Sequence, residues 1–443
     1  SNTGALIIGD VAPLSGVTST NGAVTVSASS PLTVSSNVTA AGTVTLTATD
    51  SPAATDDLTI DPGVTVESTG ADVVLNSGDD FLLSLTGEVI AATTITINID
   101  PITDGAGATV DLLGNVNATQ TTINGGDDSD IFNILPTVDS PITVNGGDPT
   151  LPGPGDVLNL DFSGLAAAPA LTLGGDPGSG QFSFLAPDTE QAVNYTSIED
   201  VNTNGSGAYH LVLDMFFSGF EDASDDTIDV GLDAGGTNLL IDINGSNFFT
   251  GNDADILSFT VLGSADNDTL NINETAGGLP FFATAAPSTI SGSNGAHLNL
   301  AAETFLEDEF APTTYDVNDI TIHYDGKNGT DAINVNFITD HNAGYFSDTI
   351  DGLGSGNIGA SAVGDTDIDL GLSFGNVEGV GFSGAANGGL RVDASSTPAT
   401  TGLNINDDGT PADGVSQITG NGGFTALVFE GFNELQVVSG TGA

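Results

Sequence analysis

The chain contains no cysteine, no tryptophan and a single methionine, and its only basic residues are Lys327 and Arg391. The absence of cysteine excludes disulfide bonds and thiol chemistry. Basic side chains are the ones that bind phosphate groups, and the chain has almost none. This argues against nucleic acid and anionic lipid as partners. No apolar run reaches 18 residues and no basic-then-apolar leader opens the sequence, so we expect no membrane insertion.

Acidic residues dominate the charge: 59 of them give the 443 residues a formal net charge of −57 at pH 7. A charge of this size makes a folded surface repel itself unless cations neutralise it. Of the acidic residues, 47 are Asp and 12 are Glu. Asp favours turns, caps and the oxygen-rich sites that calcium prefers, whereas Glu favours helices. We therefore expect most of the acidic charge on loops.

The apolar residues occur in short alternating runs, mostly of Val, Ile, Leu and Phe flanked by Thr, and separated by turn residues. Such runs are typical of β-strands, and no window of 12 or more residues has a helical period. Examples are residues 23–26, 32–34, 43–47, 58–60, 64–66, 72–75, 82–85 and 94–99. Strands this short bury a core only when each stacks on the next. We predict an all-β, elongated parallel β-helix or β-solenoid, with tandem β-sandwich domains as the alternative.

Four segments share an apolar residue, an acid or amide, a small or acidic residue, and a second apolar residue. They are Ile198–Val201, Val317–Ile320, Val377–Val380 and Phe432–Leu435. With a degenerate copy at Ile256–Phe259, the spacing is about 60 residues, too short for an immunoglobulin-like sandwich. We expect such a unit to hold about three solenoid coils of roughly 20 residues.

The sequence also suggests a division into three segments. Residues 1–118 would form N-terminal solenoid coils, and residues 119–210 a Gly- and Asp-rich β-segment. Residues 211–443 would form the C-terminal repeats of about 60 residues.

The stretch Thr121–Ile134 resembles the nonapeptide of RTX (haemolysin-type) calcium-binding repeats. The matching residues are Gly125, Gly126, Asp130 and Phe132, and the stretch departs from the family at Asp128, where the repeat has Gly. More broadly, the chain resembles segments of giant bacterial extracellular surface proteins (adhesin-like, S-layer-like or filamentous-haemagglutinin-like). The resemblance implies an extracellular, calcium-loaded β-solenoid.

Three clusters of acidic and amide side chains on Gly-containing turns are candidate calcium sites, because calcium takes six to eight oxygen ligands. The candidate ligands are Asp127, Asp128 and Asp130; Asp266 and Asp268; and Asn404, Asn406 and Asp408. The third cluster resembles the first half of an EF-hand loop, although Val415 stands where the bidentate Glu would fall. A plain solvated turn is the alternative for each cluster.

The sequence contains no pattern that indicates catalysis. Its four histidines lack zinc-site spacing, and it has neither a Gly-x-Ser-x-Gly elbow nor a cysteine nucleophile. A polysaccharide lyase needs basic residues to neutralise an acidic sugar, and only two are present. We therefore expect no enzymatic activity, with a polysaccharide-degrading β-helix enzyme as the least favoured alternative.

These observations together predict a secreted structural protein that forms a cell-surface layer, extracellular matrix or fibre, stabilised by Ca²⁺. Its expected partners are other copies of itself, in a head-to-tail filament or lattice, and polysaccharide is a possible further partner. The segments Ser1–Ile8 and Val438–Ala443 look able to continue one another. The alternative is a carbohydrate- or surface-binding adhesin module.

Overall fold

The computed structural model describes residues 4–29, 31–51, 55–102, 105–147, 155–215, 220, 224–280, 322–327, 330–348, 354–362, 370–384, 388–394, 403–409, 414–420 and 424–439. Within these residues the chain forms 39 β-strands and one 3-10 turn, Asp253–Asp255. It divides into two compact units, Ser1–Tyr209 and His210–Ala443. Both units contain stacked parallel strands, which confirms the predicted all-β, parallel β-solenoid fold. The described part of the chain contains no helix with the length and hydropathy needed to cross a membrane.

Unit 1 is a stack of coils whose strands form three parallel sheets, called faces 1, 2 and 3. Face 1 contains β1 (Leu6–Ile8), β4 (Leu32–Val34), β7 (Leu58–Ile60), β10 (Phe81–Leu83), β13 (Thr109–Leu112), β16 (Ile131–Ile134), β18 (Val157–Leu160) and β22 (Asp200–Asn202). Face 2 contains β2 (Val17–Ser19), β5 (Val38–Ala40), β8 (Thr65–Ser68), β11 (Glu88–Ala91) and β14 (Asn115–Asn117). Face 3 contains β3 (Val24–Ala28), β6 (Val44–Ala48), β9 (Val73–Asn76), β12 (Thr94–Asn98), β15 (Gln120–Asn124), β17 (Ile142–Asn145) and β21 (Val193–Thr196).

Neighbouring strands on each face of unit 1 are in register, so that apolar side chains stack on apolar side chains. On face 1, Val110 pairs with Phe81 on one side and with Phe132 on the other, and Phe132 pairs with Leu158. All four side chains are buried. Alternate residues of a strand point inward. In a single coil, their side chains would be exposed to water on the two sides where the neighbouring coils now pack. Stacking the coils closes the core.

Outward-facing Asn side chains repeat the same register on the surface of unit 1. Asn98 donates to Asn76 Oδ1 at 2.8 Å across 22 residues, and Asn124 donates to Asn98 Oδ1 at 2.9 Å across 26 residues. Asn76 donates to Thr47 Oγ1 at 3.1 Å across 29 residues. A coil here is therefore slightly longer than the predicted length of roughly 20 residues. Such Asn ladders add side-chain hydrogen bonds to the backbone pairing of stacked strands.

An antiparallel hairpin interrupts the stack after β18. It consists of β19 (Ala170–Leu173) and β20 (Gly180–Ser183), and β20 also pairs with β21. Phe182 on β20 is fully buried and packs edge-on against Tyr209, with ring centroids 5.4 Å apart. The hairpin lengthens this coil without breaking the parallel pairing of β18 with β22 or of β17 with β21.

Unit 2 has three parallel stacks of strands. The first contains β24 (Thr227–Leu232), β28 (Thr269–Asn273), β30 (Ala332–Asn336), β34 (Gly379–Ser383) and β38 (Ala426–Phe429). The second contains β27 (Ile256–Leu262), β29 (Ile322–Asp325) and β33 (Leu370–Gly375), and the third contains β31 (His341–Asp348), β35 (Gly389–Ala394) and β39 (Glu434–Ser439). The other strands are β23 (Tyr209–Asp214), β25 (Asn238–Ile243), β26 (Ser246–Asn252), β32 (Ser355–Ala362), β36 (Leu403–Asp407) and β37 (Ser416–Gly420).

Antiparallel meanders lengthen the coils of unit 2. They run through β24–β25–β26, β31–β32–β33 and β36–β37–β38. Parallel neighbours are consequently far apart in sequence: Asn334 donates to Asn271 Oδ1 at 3.0 Å across 63 residues, and Ser383 donates to Asn336 Oδ1 at 2.7 Å across 47 residues. The expectation of three coils in each repeat is therefore wrong here, because one repeat forms one lengthened coil.

The repeat segment Val317–Ile320 lies outside the described residues. The three-segment division at residues 118/119 and 210/211 stays a prediction.

Substitutions at Leu83 and Leu85 test whether the side chain of Leu83 on face 1 points into the core. Leu83 is fully buried at the end of β10, whereas Leu85, two residues later, is 64 % exposed. Leu83→Ala should lower the free energy of unfolding by about 2–5 kcal/mol, because it leaves a cavity. Leu85→Ala should change it by less than about 0.5 kcal/mol. Urea unfolding of both variants measures this, and equal losses would contradict the inward orientation of Leu83.

Candidate functional site: a ladder of carboxylates

Acidic side chains stack at one corner of successive coils in each unit. We call them the carboxylate ladder: Asp130, Asp156 and Glu199 in unit 1, and Asp268, Asp331 and Glu378 in unit 2. Each stands two positions before a buried apolar residue of a parallel strand; these residues are Phe132, Leu158, Val201, Leu270, Ile333 and Val380. Because those apolar residues pair in register, the acidic residues before them are brought into a column.

Backbone N–H groups link the ladder in unit 1 from coil to coil. The N–H of Asp130 donates to Asp156 Oδ1 at 2.7 Å, and the N–H of Asp156 donates to Glu199 Oε2 at 2.6 Å. One coil earlier, the N–H of Ala108 donates to Asp130 Oδ1 at 2.8 Å. Each carboxylate therefore accepts the N–H at the same corner of the preceding coil.

The same links recur in unit 2. The N–H of Asp268 donates to Asp331 Oδ1 at 2.8 Å, and the N–H of Asp331 donates to Glu378 Oε2, also at 2.8 Å. In both units these two Asp residues are followed by a Glu, and in unit 2 the buried Asp226, two positions before Ile228, precedes them. Because the same links occur in two separate units, the ladder is a recurring feature of the repeat.

The Asp residues of the ladder are removed from water. Asp130, Asp156 and Asp268 are fully buried and Asp331 is 1 % exposed. Burial raises the pKa of Asp130 to about 6 and the pKa values of Asp156 and Asp331 to about 7. Burial also raises the pKa of Asp268. Backbone N–H donors partly offset these shifts and neighbouring carboxylates add to them, because a like charge disfavours ionisation.

The second carboxylate oxygen differs between the ladder positions. Asp130 Oδ2 accepts the N–H of Gly126 at 2.8 Å, and Asp268 Oδ2 accepts the N–H of Ser264 at 2.6 Å. Each donor is the residue that follows the glycine at the end of the preceding strand. These two carboxylates therefore have hydrogen bonds on both sides.

Within the part of the chain that the structure describes, Asp156 and Asp331 have no such second donor. The residues that follow their glycines, Gly147 and Lys327, have left-handed φ angles of +117° and +67°. This conformation differs from that of the donors in the neighbouring coils. Among the described residues, neither Asp156 Oδ2 nor Asp331 Oδ2 has a hydrogen-bond partner, although both atoms are buried.

A glycine faces each of these unpartnered oxygens and leaves no room for a side chain. A Cβ at Gly146 would lie 2.0 Å from Ser197 O and 2.4 Å from Asp156 Oδ2. At Gly326 the corresponding distances are 2.4 Å to Asn376 O and 2.6 Å to the ladder carboxylate of the same coil. The carboxylate of one coil and a carbonyl group of the next therefore converge on the same glycine.

The predicted ligands of the RTX-like stretch are placed differently from one another. Asp127 is exposed. Asp128 is 6 % exposed and accepts the N–H of Gly105 at 2.9 Å. Asp130 belongs to the ladder, where both its oxygens accept backbone N–H groups.

Of the other two predicted clusters, one shares Asp268 with the ladder and the other contains no ladder residue. The N–H of Asp266 donates to Ser264 Oγ at 3.0 Å, while Asp268 is a ladder residue. Asn404, Asn406 and Asp408 are exposed on and after β36. Among the described residues, no group of three or more His, Asp or Glu side chains is arranged to hold a metal ion. Calcium binding stays a prediction.

His210 and His323 supply little positive charge to offset the acidic residues. His210 Nδ1 and Ser258 Oγ are 2.7 Å apart, and His323 Nδ1 and Ser373 Oγ are 2.6 Å apart. Burial lowers the pKa of His210, and burial with repulsion from His210 lowers the pKa of His323 to about 4. Both imidazoles are therefore neutral at pH 7.

Sequence reasoning missed four ladder residues: Asp156, Glu199, Asp331 and Glu378. Two of them were present in the repeat segments Ile198–Val201 and Val377–Val380, which contain the Glu of each unit. The signal that finds the others is Gly followed five residues later by Asp, as at Gly326 and Asp331. Asp156 does not show this spacing, because it lies ten positions after Gly146 in the sequence.

Comparison of the chain with protein-family models, curated proteins and solved structures finds no match.

Gly146→Ala and Gly326→Ala test the close approach of the ladder to its glycines. Each should lower the free energy of unfolding by about 1–3 kcal/mol, because the added methyl group overlaps a carboxylate and a carbonyl oxygen. Gly164→Ala is the matched control, since nothing lies within 4 Å of a Cβ at that turn. Thermal and urea unfolding measure all three variants. Losses no larger than that of the control would show that the ladder can move away from the glycine.

Proposed function

We propose that this chain is a secreted structural protein of an extracellular layer, matrix or fibre, stabilised by calcium and assembled by contacts between copies. The carboxylate ladder carries the proposal. Its acidic residues, of which the four Asp are buried, join one coil to the next through backbone N–H groups in both units. Acidic side chains used in this way strengthen the stack itself, which suits a protein whose task is mechanical.

The excess of acidic over basic residues supports calcium binding and an extracellular location. A formal charge of −57 with two basic residues requires cations from solution to relieve its repulsion. Calcium prefers the carboxylate and amide oxygens that the turns present. We place it at Asp127, Asp128, Asp266, Asn404, Asn406 and Asp408. Asp130 and Asp268 are left to the ladder, since both oxygens of each already accept hydrogen bonds.

The first coil supports contacts between copies. Ile7, Val11 and Leu14 are 66 %, 74 % and 72 % exposed. The only charged residue among the first 49 is Asp10, so this region repels another copy least. Grouped exposed apolar side chains are typical of protein contact sites.

The alternatives have less support. A carbohydrate-binding adhesin would present aromatic rings on an open face, yet the large exposed hydrophobic side chains of the described residues are all aliphatic. A polysaccharide-degrading enzyme requires two carboxylates facing a substrate. The ladder Asp residues are instead buried against the backbone.

Thermal unfolding at neutral pH tests the calcium proposal in three solutions: chelator, chelator with high NaCl, and millimolar CaCl₂. Sodium chloride screens repulsion everywhere, whereas calcium bound to specific sites stabilises by mass action. We expect calcium to raise the melting temperature beyond the level that NaCl reaches. Electron microscopy of the same samples should show fibres or sheets with calcium.

The double variant Asp127→Asn with Asp128→Asn should lose part of the calcium-dependent rise in melting temperature. Asp176→Asn, at an exposed turn of the same unit, is the control for loss of acidic charge. If NaCl restores the melting temperature as fully as CaCl₂ does, the acidic surface is merely solvated. Single particles under every condition would count against the layer or fibre.

A further inference from the structure

We propose that the outer surface of face 3 in unit 1 is a lateral contact site, on which face 3 of a second copy of the chain packs. Its outward side chains carry no charge and stack in register, which suits the packing of two identical sheets. The inference rests on the proposed assembly of copies and adds a side-to-side contact to the one at the first coil.

The strands of face 3, from β3 to β21, present no charged side chain to the outside, and the structure describes all of them. Their outward positions hold Thr, Asn and Ser, except for Val74 on β9 and Gln120 on β15. The other two faces differ, since Glu67 and Glu88 point outward from face 2 and Asp111 points outward from face 1. A chain with 59 acidic residues therefore keeps them off one face of unit 1.

Acidic side chains are found at the rim of this face. Asp72 immediately precedes β9, and its Oδ1 accepts hydrogen bonds from the backbone N–H of Thr94 at 3.1 Å and from Thr94 Oγ1 at 2.8 Å. Two copies that each carry a formal charge of −57 repel one another. Contact costs least where neither copy brings a charge to the interface, because like charges placed opposite each other oppose binding. Face 3 is such a surface.

The outward side chains are already ordered before a partner arrives. Thr96 pairs in register with Thr122, and Thr122 with Thr143. In the neighbouring column, Asn98 and Asn76 are joined by the 2.8 Å hydrogen bond of the Asn ladder. Side chains fixed in this way lose little conformational entropy when a partner packs on them.

A second copy is the occupant that these features fit. In-register parallel strands with uncharged outward side chains are the units from which paired, interdigitated sheets are built, and Asn ladders strengthen such pairs. A twofold axis brings the same surface of both copies together, so each column of Thr or Asn meets its own kind of surface. No basic partner surface is needed, because face 3 offers no acid to neutralise.

The size of face 3 predicts a weak contact. Seven strands about 4.8 Å apart and about five residues long cover about 30 Å by about 17 Å, or about 1,000 Å² over both copies. This lies at the lower end of specific protein interfaces. We therefore expect association to depend on concentration in solution, and to become strong where many copies make the contact in one layer or fibre.

The double variant Asn76→Asp with Asn98→Asp tests the proposal by placing acid on face 3. Asn133→Asp with Asn159→Asp on face 1 is the matched control, because those two amides are joined by the same kind of hydrogen bond, also 2.8 Å long. Sedimentation velocity of the full chain is measured over a concentration series in millimolar CaCl₂. The face 3 variant should associate at least about tenfold more weakly than the unmodified protein, and the control should associate as the unmodified protein does. Melting temperatures show that both variants fold.

The other outcomes each count against the proposal. Association that survives in both double variants would overturn it without affecting the proposed function, and would leave face 3 to another occupant such as polysaccharide. An equal loss in both variants would show that added charge acts wherever it is placed. An unmodified protein that never associates would contradict the proposed function as well.

A spin label gives a second readout without adding charge. The chain has no cysteine, so Thr122→Cys on face 3 and Thr59→Cys on face 1 each accept one label. Each labelled variant is mixed with excess unmodified protein, and its paramagnetic resonance spectrum is recorded as the concentration rises. The label at residue 122 should become immobile, whereas the label at residue 59 should stay mobile. Immobilisation at residue 59 alone, or at neither residue while the protein associates, would place the contact elsewhere.

Discussion

The peptide backbone supplies the hydrogen-bond donors that link the carboxylate ladder, in a chain whose sequence contains only two basic side chains. A buried carboxylate needs either a cation or several donors. The N–H groups at the corner of a solenoid coil recur at every turn and point along the stack, so they are available at every level. This constraint places Asp130, Asp156, Asp268 and Asp331 in columns and couples the coils that contain them through hydrogen bonds from backbone N–H groups to carboxyl oxygens.

The ladder keeps its geometry while the coils change in length. Its links join residues 26 and 43 positions apart in unit 1, and 63 and 47 positions apart in unit 2. Inserted hairpins leave the corner unchanged, because they extend from other parts of the coil. Gly146 and Gly326 belong to the same arrangement, since a larger residue would displace the carboxylate that faces it.

Much of the fold could be predicted from local pattern. The alternation at Leu58–Ile60 predicted a strand, and β7 covers those residues. The length of a coil in unit 2 could not be predicted, because an antiparallel meander and a stack of parallel coils have the same period of two in sequence. The sequence clusters around Asp130 and Asp268 predicted that these carboxylates bind polar groups. Only the pairing of strands between successive coils shows which N–H group each carboxylate accepts. Asp156 was missed because it lies ten positions after Gly146 in the sequence and not five.

Hydrogen exchange of individual backbone amides tests the central claim most directly, namely that carboxylates join successive coils through the corner N–H groups. The amides of Asp130, Asp156, Asp268 and Asp331 lie just outside strands, where amides ordinarily exchange fast. The account predicts that they exchange as slowly as the amides of the neighbouring strands at pH 6. Exchange as fast as that of exposed turn amides, such as that of Gly164, would contradict the ladder.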